Sequence, residues 1–185
     1  MKKLSLYFFL VLLFCGNVIA SSENRNIKLN QLFEELKKSN NNFIAFEIEI
    51  KIWDIWSTHP TQKELTESLA NGSNLMSRGE LEKAYEIFSV IIDSAPDWAE
   101  GWNKRATVLY LMGRYQESLE DIDEVLKHES RHFGALSGQG LVQTALENYE
   151  KAIKSYEAVQ KIYPSIKSAE VMIPQLKKLI KENVI

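Results

Sequence analysis

Residue types recur in this chain at a spacing of 34 positions. Stepping from Gly72 reaches Ala106 and Gly140, and stepping from Ala84 reaches Ser118 and Ala152. Phe88 leads to Ile122 and Tyr156, Pro96 to Ser130 and Pro164, and Gly79 to Gly113 and Glu147. A fixed period of this length is the signature of stacked supersecondary units. Each unit is too small to bury its apolar face alone and must cover its neighbour. Three units span about 65–98, 99–132 and 133–166 within residues 63–164.

Each unit reads as two helices. In the second, Trp102, Ala106 and Leu109 share one face, Gly113 breaks the chain, and Tyr115, Leu119, Ile122 and Leu126 share the next face. Pro96 and Pro164 follow second helices, where a helix does not readily continue. Gly72, Ala106 and Gly140 are small where the first helix crosses the second. Ala84, Ser118 and Ala152 are small where neighbouring helices touch. Phe88, Trp102 and Tyr156 fill the larger spaces. In the third unit Glu147 replaces the inter-helix glycine and Gln143 stands where an aromatic or leucine is usual, which predicts looser packing there.

These in-phase types, with "GELEKAYEIF" and "WNKRATVLYLMGRYQESL", resemble the tetratricopeptide repeat from Leu65 to about Pro164. The resemblance implies an all-α fold, a right-handed superhelix of antiparallel helix pairs. It also implies peptide or protein binding on a concave face lined by the first helices. On this register the groove residues are Leu69, Ser73 and Met76, then Asn103, Thr107 and Tyr110, then Ser137, Leu141 and Thr144. The Asn103 amide is suited to hold an extended backbone at two points. Chaperone-tail binders of the family clamp a terminal carboxylate with Lys, Asn and Arg. The matching places here hold Leu69, Ser73, Lys104, Gly134 and Gly138, so only Lys104 offers charge. Such a groove suits an apolar or helical segment. Gly134, Ser137 and Gly138 predict shallow walls at the third unit.

The flanks read differently. Residues 1–20 carry Lys2 and Lys3, an apolar run from Leu4 to Phe14 and a Val18-Ile19-Ala20 site, the form of a secretory signal peptide cut after Ala20. Two alternatives stay open: an uncleaved anchor, or a lipidated Cys15, although Phe14 is bulky for the lipoprotein motif. Cys15 is the only cysteine, so the chain after Ala20 has no disulfide, thiol catalyst or cysteine metal site. The expected location is periplasmic or secreted. Formal net charge is −3, and loss of Lys2 and Lys3 lowers it by two more. That balance disfavours nucleic acid.

Residues 21–62 predict a helical hairpin and linker. Leu29, Leu32, Phe33 and Leu36 form one stripe, and Ser39 to Asn42 a turn. "NFIAFEIEIKIWDIW" alternates like a strand, yet a lone strand would leave its backbone unpaired, so helix is expected. Trp53 and Trp56 read as core. The hairpin either stacks as an extra repeat or folds across the groove. Residues 165–185 predict a capping helix interrupted by Pro174.

Other chemistry finds little support. His128 and His132 have helical metal-ligand spacing, but Ser130 ends the helix between them, and both read as a solvated connection. Gly138-Gln139-Gly140 lacks the third glycine of a dinucleotide loop. Glu117, Glu120, Asp121, Asp123 and Glu124 read as a solvated convex face, and the Asn71-Gly72-Ser73 sequon lies inside a helix. No catalytic set, cofactor or metal site is predicted. The expected function is a non-catalytic protein-interaction module of a bacterial envelope. The alternative is a structural subunit that assembles with copies of itself or within an envelope complex.

Overall fold

The structure, a computed structural model, describes residues 23–182. The expected signal peptide, residues 1–20 with Cys15, lies outside the described residues. Among those residues all regular structure is helical. Helix α1 spans 23–38. It is followed by α2 (Asn42–Ser57), α3 (Lys63–Ser77), α4 (Leu81–Ser94), α5 (Ala99–Leu111), α6 (Tyr115–His128), α7 (Phe133–Ala145), α8 (Tyr149–Ile162) and α9 (Lys167–Glu182). None is long and apolar enough to cross a membrane.

Helices α3/α4, α5/α6 and α7/α8 are the three repeated pairs. Their crossings depend on missing side chains. A Cβ on Gly72 would lie 2.6 Å from the Phe88 ring, and one on Gly140 would lie 2.6 Å from the Tyr156 ring. At the middle crossing the Ser118 hydroxyl donates to the Ala106 carbonyl at 2.8 Å. Ala84 and Ala152 are fully buried. Ala84→Leu is expected to cost about 1–3 kcal/mol by overpacking. Glu82→Leu on exposed surface should cost under about 0.5 kcal/mol. Equal shifts of the two melting curves would refute this register.

The pairs curve because their inner helices touch. Among the described residues α3 meets α5, α5 meets α7 and α7 meets α9, whereas within the repeats α4, α6 and α8 pack chiefly on the helices next to them in sequence. The first helices therefore line the concave side. Within each pair the chain reverses through a left-handed residue: Gly79 at φ +77°, Gly113 at +74° and Glu147 at +59°. A side chain strains that conformation by about 1 kcal/mol or more. Glu147→Gly is expected to raise the melting temperature by about 2–4 °C, measured by circular dichroism.

The third pair is not loose. Ala152, Tyr156 and Val159 have no solvent exposure, and Gln143 accepts a hydrogen bond from the Asn148 side chain at 3.0 Å. The reason lies outside the pair: α9 and the hairpin cover it. Ala169 and Leu176 of α9 are buried, and Pro174 is accommodated inside that helix.

The acidic face of α6 is also corrected at one position. Asp121 is buried and takes a two-pronged hydrogen bond from Arg105 at 2.7 and 2.8 Å. Arg105 also donates to Ser89 of α4 and stacks over Tyr85 and Trp102, so it ties α4, α5 and α6 together.

The segment 43–57 is helical, with the Asn41 side chain capping α2 by accepting from Phe43 and Ile44 amides. Leu29, Leu32, Phe33 and Leu36 of α1 pack on Ala45, Ile48, Ile52 and Trp56 of α2. Among the described residues α2 does not stack on α3. Instead α2 meets α5, and its tryptophans reach the start of α7. It lies across part of the inner face.

Candidate binding groove

The inner face is divided by what α2 covers. At the amino-terminal ends of α5 and α7 the hairpin is seated. Trp56 stacks on His132 with ring centroids 4.0 Å apart and planes 10° from parallel. Trp53 packs edge-on to His132 and Phe133. A Cβ on Gly134 would lie 2.5 Å from Trp53, so Trp53 fills the space that Gly134 opens. Farther out, the Tyr163 hydroxyl donates to Glu49 at 3.0 Å. Burial and the Glu49 carboxylate push the Tyr163 pKa up to about 12.

His132 is therefore no solvated linker. It has 0% exposure; its Nδ1 accepts from the Ala135 amide and caps α7. That leaves Nε2 as the donor to Glu100, 3.1 Å away. Glu100 is itself buried, and Lys104 Nζ lies 3.2 Å from its carboxylate. Burial pushes the Glu100 carboxyl up, but His132, Lys104 and Asn103 pull it further down, so its pKa lies below the ordinary value. His128 remains exposed.

Asn103 joins this cluster through its amide while it also lines the groove. It is 7% exposed, and its Nδ2 donates to both Glu100 oxygens at 3.2 Å. Sequence reasoning assigned no role to Glu100. The repeat phase did carry a signal for His132, because it occupies the place of Trp98 and Ile166. Asp121 likewise takes the place of Ile87 and Ser155. At His132 a polar residue in an apolar phase is buried with partners, whereas the phase of Asp121 is mixed, holding a half-buried Ile87 and a buried Ser155.

Beyond the hairpin a cleft of about 70 Å³ opens between α5 and α7. Asn103, Thr107, Tyr110 and Leu141 line it, with Ala135 and Gly138 beside them. The Thr107 hydroxyl turns back to the Asn103 carbonyl at 2.9 Å, which leaves the cleft mainly apolar. The other groove positions do not line this cleft. Leu69 is buried in the first-repeat core, where Met76 also packs. Ser73 and Thr144 bond back to the Leu69 and Gly140 carbonyls. Ser137 pairs with Ser168 of α9 at 3.2 Å. Lys104, the one charge at a clamp position, is held by Glu100 and lies over Trp53. Among the described residues no group of three or more His, Cys, Asp or Glu is placed to hold a metal ion.

Comparison with known proteins agrees with this architecture. A tetratricopeptide repeat family model matches residues 135–165. A TPR repeat-containing protein of Rhizobium etli is 30% identical over 171 residues, which cover 90% of this chain and 83% of that protein. The chain belongs to the tetratricopeptide repeat family. Among solved structures, the Sgt2 TPR domain from Aspergillus fumigatus superposes with a TM-score of 0.63 at 20% identity, covering 66% of this chain and 82% of that one. The first TPR of Spaghetti (RPAP3), bound to an HSP90 peptide, gives 0.61 at 18% identity, covering 63% and 93%.

Proposed function

We propose that this protein is a non-catalytic interaction module that receives an apolar segment of a partner protein in the cleft between α5 and α7. The observation that carries the reading is that cleft itself: small residues such as Ala106, Ala135 and Gly138 share its lining with apolar ones, and Leu141 in that lining is 41% exposed. The Spaghetti domain holds a peptide on the same fold. The clamp positions here offer no free cation, so the partner engages through apolar side chains rather than a terminal carboxylate.

A photo-crosslinking residue at Leu141 tests this against one at Glu82 on α4. Gly138→Leu is the control: a Cβ there meets only Ile122 at 3.8 Å, so the larger side chain fills the cleft without disturbing the helices. Crosslinking from position 141 alone, lost with Gly138→Leu, supports the reading. Equal yields from both positions, or no effect of the filled cleft, refute it.

The proposal places this module in a bacterial envelope after export through residues 1–20. Intact mass measurement of the cell-derived protein distinguishes Ser21 as the first residue from a retained segment or an acylated Cys15.

A second reading, assembly with copies of itself, draws on the outer face of α2. Phe43, Phe46 and Ile50 share a stripe and are 69%, 54% and 51% exposed. Sedimentation of wild type against Phe46→Glu separates it from the first reading.

A further inference from the structure

A cavity of about 530 Å³ lies where the hairpin meets the repeats, away from the α5–α7 cleft. Its volume suits a small ligand. Its walls come from α1, the α2–α3 connection, the α4–α5 junction and the end of α6, among them Arg25, Trp56, His59, Asp97, Trp98 and Glu100.

Several donors around it have no carboxylate partner among the described residues, and Asp97, whose charge acts on His59, lies in the same wall. Among the described residues Arg25 has no carboxylate partner; its one hydrogen bond goes to the Thr58 carbonyl at 2.6 Å. Burial lowers its pKa, which marks a guanidinium partly stripped of water without a counter-ion. His59 Nδ1 accepts from the Thr61 and Gln62 amides, so Nε2 carries the hydrogen and is free to donate. Behind the cavity wall, the buried Trp56 indole N–H has no acceptor among the described residues. A buried indole normally finds one. Gln62 and Trp98, the residues that open α3 and α5, also line the cavity. Neither helix has a side-chain cap, and such ends favour an anion.

The acidic groups limit what anion fits. Glu100 is held by His132, Lys104 and Asn103, and Glu129 by Arg131, but both remain in the wall with Asp97. Their charge opposes a multivalent anion. Trp98 and His59, packed edge to face with ring centroids 5.0 Å apart, give this wall an aromatic surface that favours an apolar body.

We propose that this cavity binds a small monocarboxylate, with Arg25 and His59 holding the carboxylate and the tryptophan side receiving the apolar part.

Benzoate, benzamide and inorganic phosphate are the probes, added to purified ¹⁵N-labelled protein while the indole N–H resonances are followed. Benzoate is expected to move the Trp56 resonance saturably, and benzamide and phosphate are not. Arg25→Gln, which keeps a donor for Thr58, is expected to weaken benzoate binding by at least about tenfold, whereas exposed Arg78→Gln leaves it unchanged. Should Arg25→Gln release the hairpin, wild type still decides: benzoate should shield Arg25 from phenylglyoxal where benzamide does not. Equal responses to benzoate and benzamide, a response to phosphate as strong as that to benzoate, or no response at all overturns the proposal.

Discussion

Trp56→Ala is expected to destabilise the protein by about 3–5 kcal/mol, the range for emptying a buried aromatic site. For a chain of this size that lowers the melting temperature by roughly 10 °C or more. Trp56 joins four parts of the molecule. It stacks on His132, packs on Phe33 and Phe133, and its carbonyl accepts the Trp98 indole N–H at 2.9 Å. The loss should be local in its effect. Hydrogen exchange is expected to quicken in α1 and α2 far more than in α3 to α6, because those pairs have their own core of Phe88, Val108 and Val125. Uniform acceleration across all helices would refute a hairpin held chiefly by its tryptophans.

Glu100→Ala is expected to cost about 3 kcal/mol, because it leaves His132, Asn103 and Lys104 facing a buried gap with no acceptor. The charge can be tested separately with Glu100→Gln. The Glu100 pKa is lowered in the folded protein. The unfolded chain therefore takes up the proton first on acidification. The stabilisation from this carboxylate is fully present above its unfolded value, about 4.3, and is lost as pH falls through the folded value. The stability gap between wild type and Glu100→Gln should narrow as pH drops below about 4.3. Chemical denaturation at a series of pH values measures it. A gap that stays constant through that window refutes the assignment. Glu129 is also lowered, but it remains in both proteins and cancels.

The repeats were legible because their contacts are local and periodic. Gly72 meets Phe88 and Gly140 meets Tyr156 at one sequence distance, so small and large residues could be matched by counting. The apolar stripes of α1 and α2 were equally visible. What the period does not show has a different cause. The surroundings of His132 and Gly134 are decided by partners outside their own helix, and the Asn103 amide is held by Glu100 while the residue still lines the cleft. Trp53 fills the space at Gly134, Trp56 covers His132, and Glu100 takes the Asn103 amide. Asp121 was misplaced for a related reason: its charge outweighed its position in the repeat, where Ile87 and Ser155 are its equivalents.

From sequence alone came the helix pairs, their register and the identity of the small crossing residues. Those follow from a repeated unit packing on its own copy, which writes the same constraint into the chain three times. The seat of the hairpin is written once. An amphipathic helix states that it must bury a face, and nothing in its period names the surface that will cover it. Only the tertiary structure set Trp53 and Trp56 on α7, buried the Glu100–His132 pair beneath them, and left open both the α5–α7 cleft and the cavity beside Arg25. The physical reason is shape: Trp53 fits where Gly134 has no side chain, and Trp56 stacks on His132 and shields the polar pair from water.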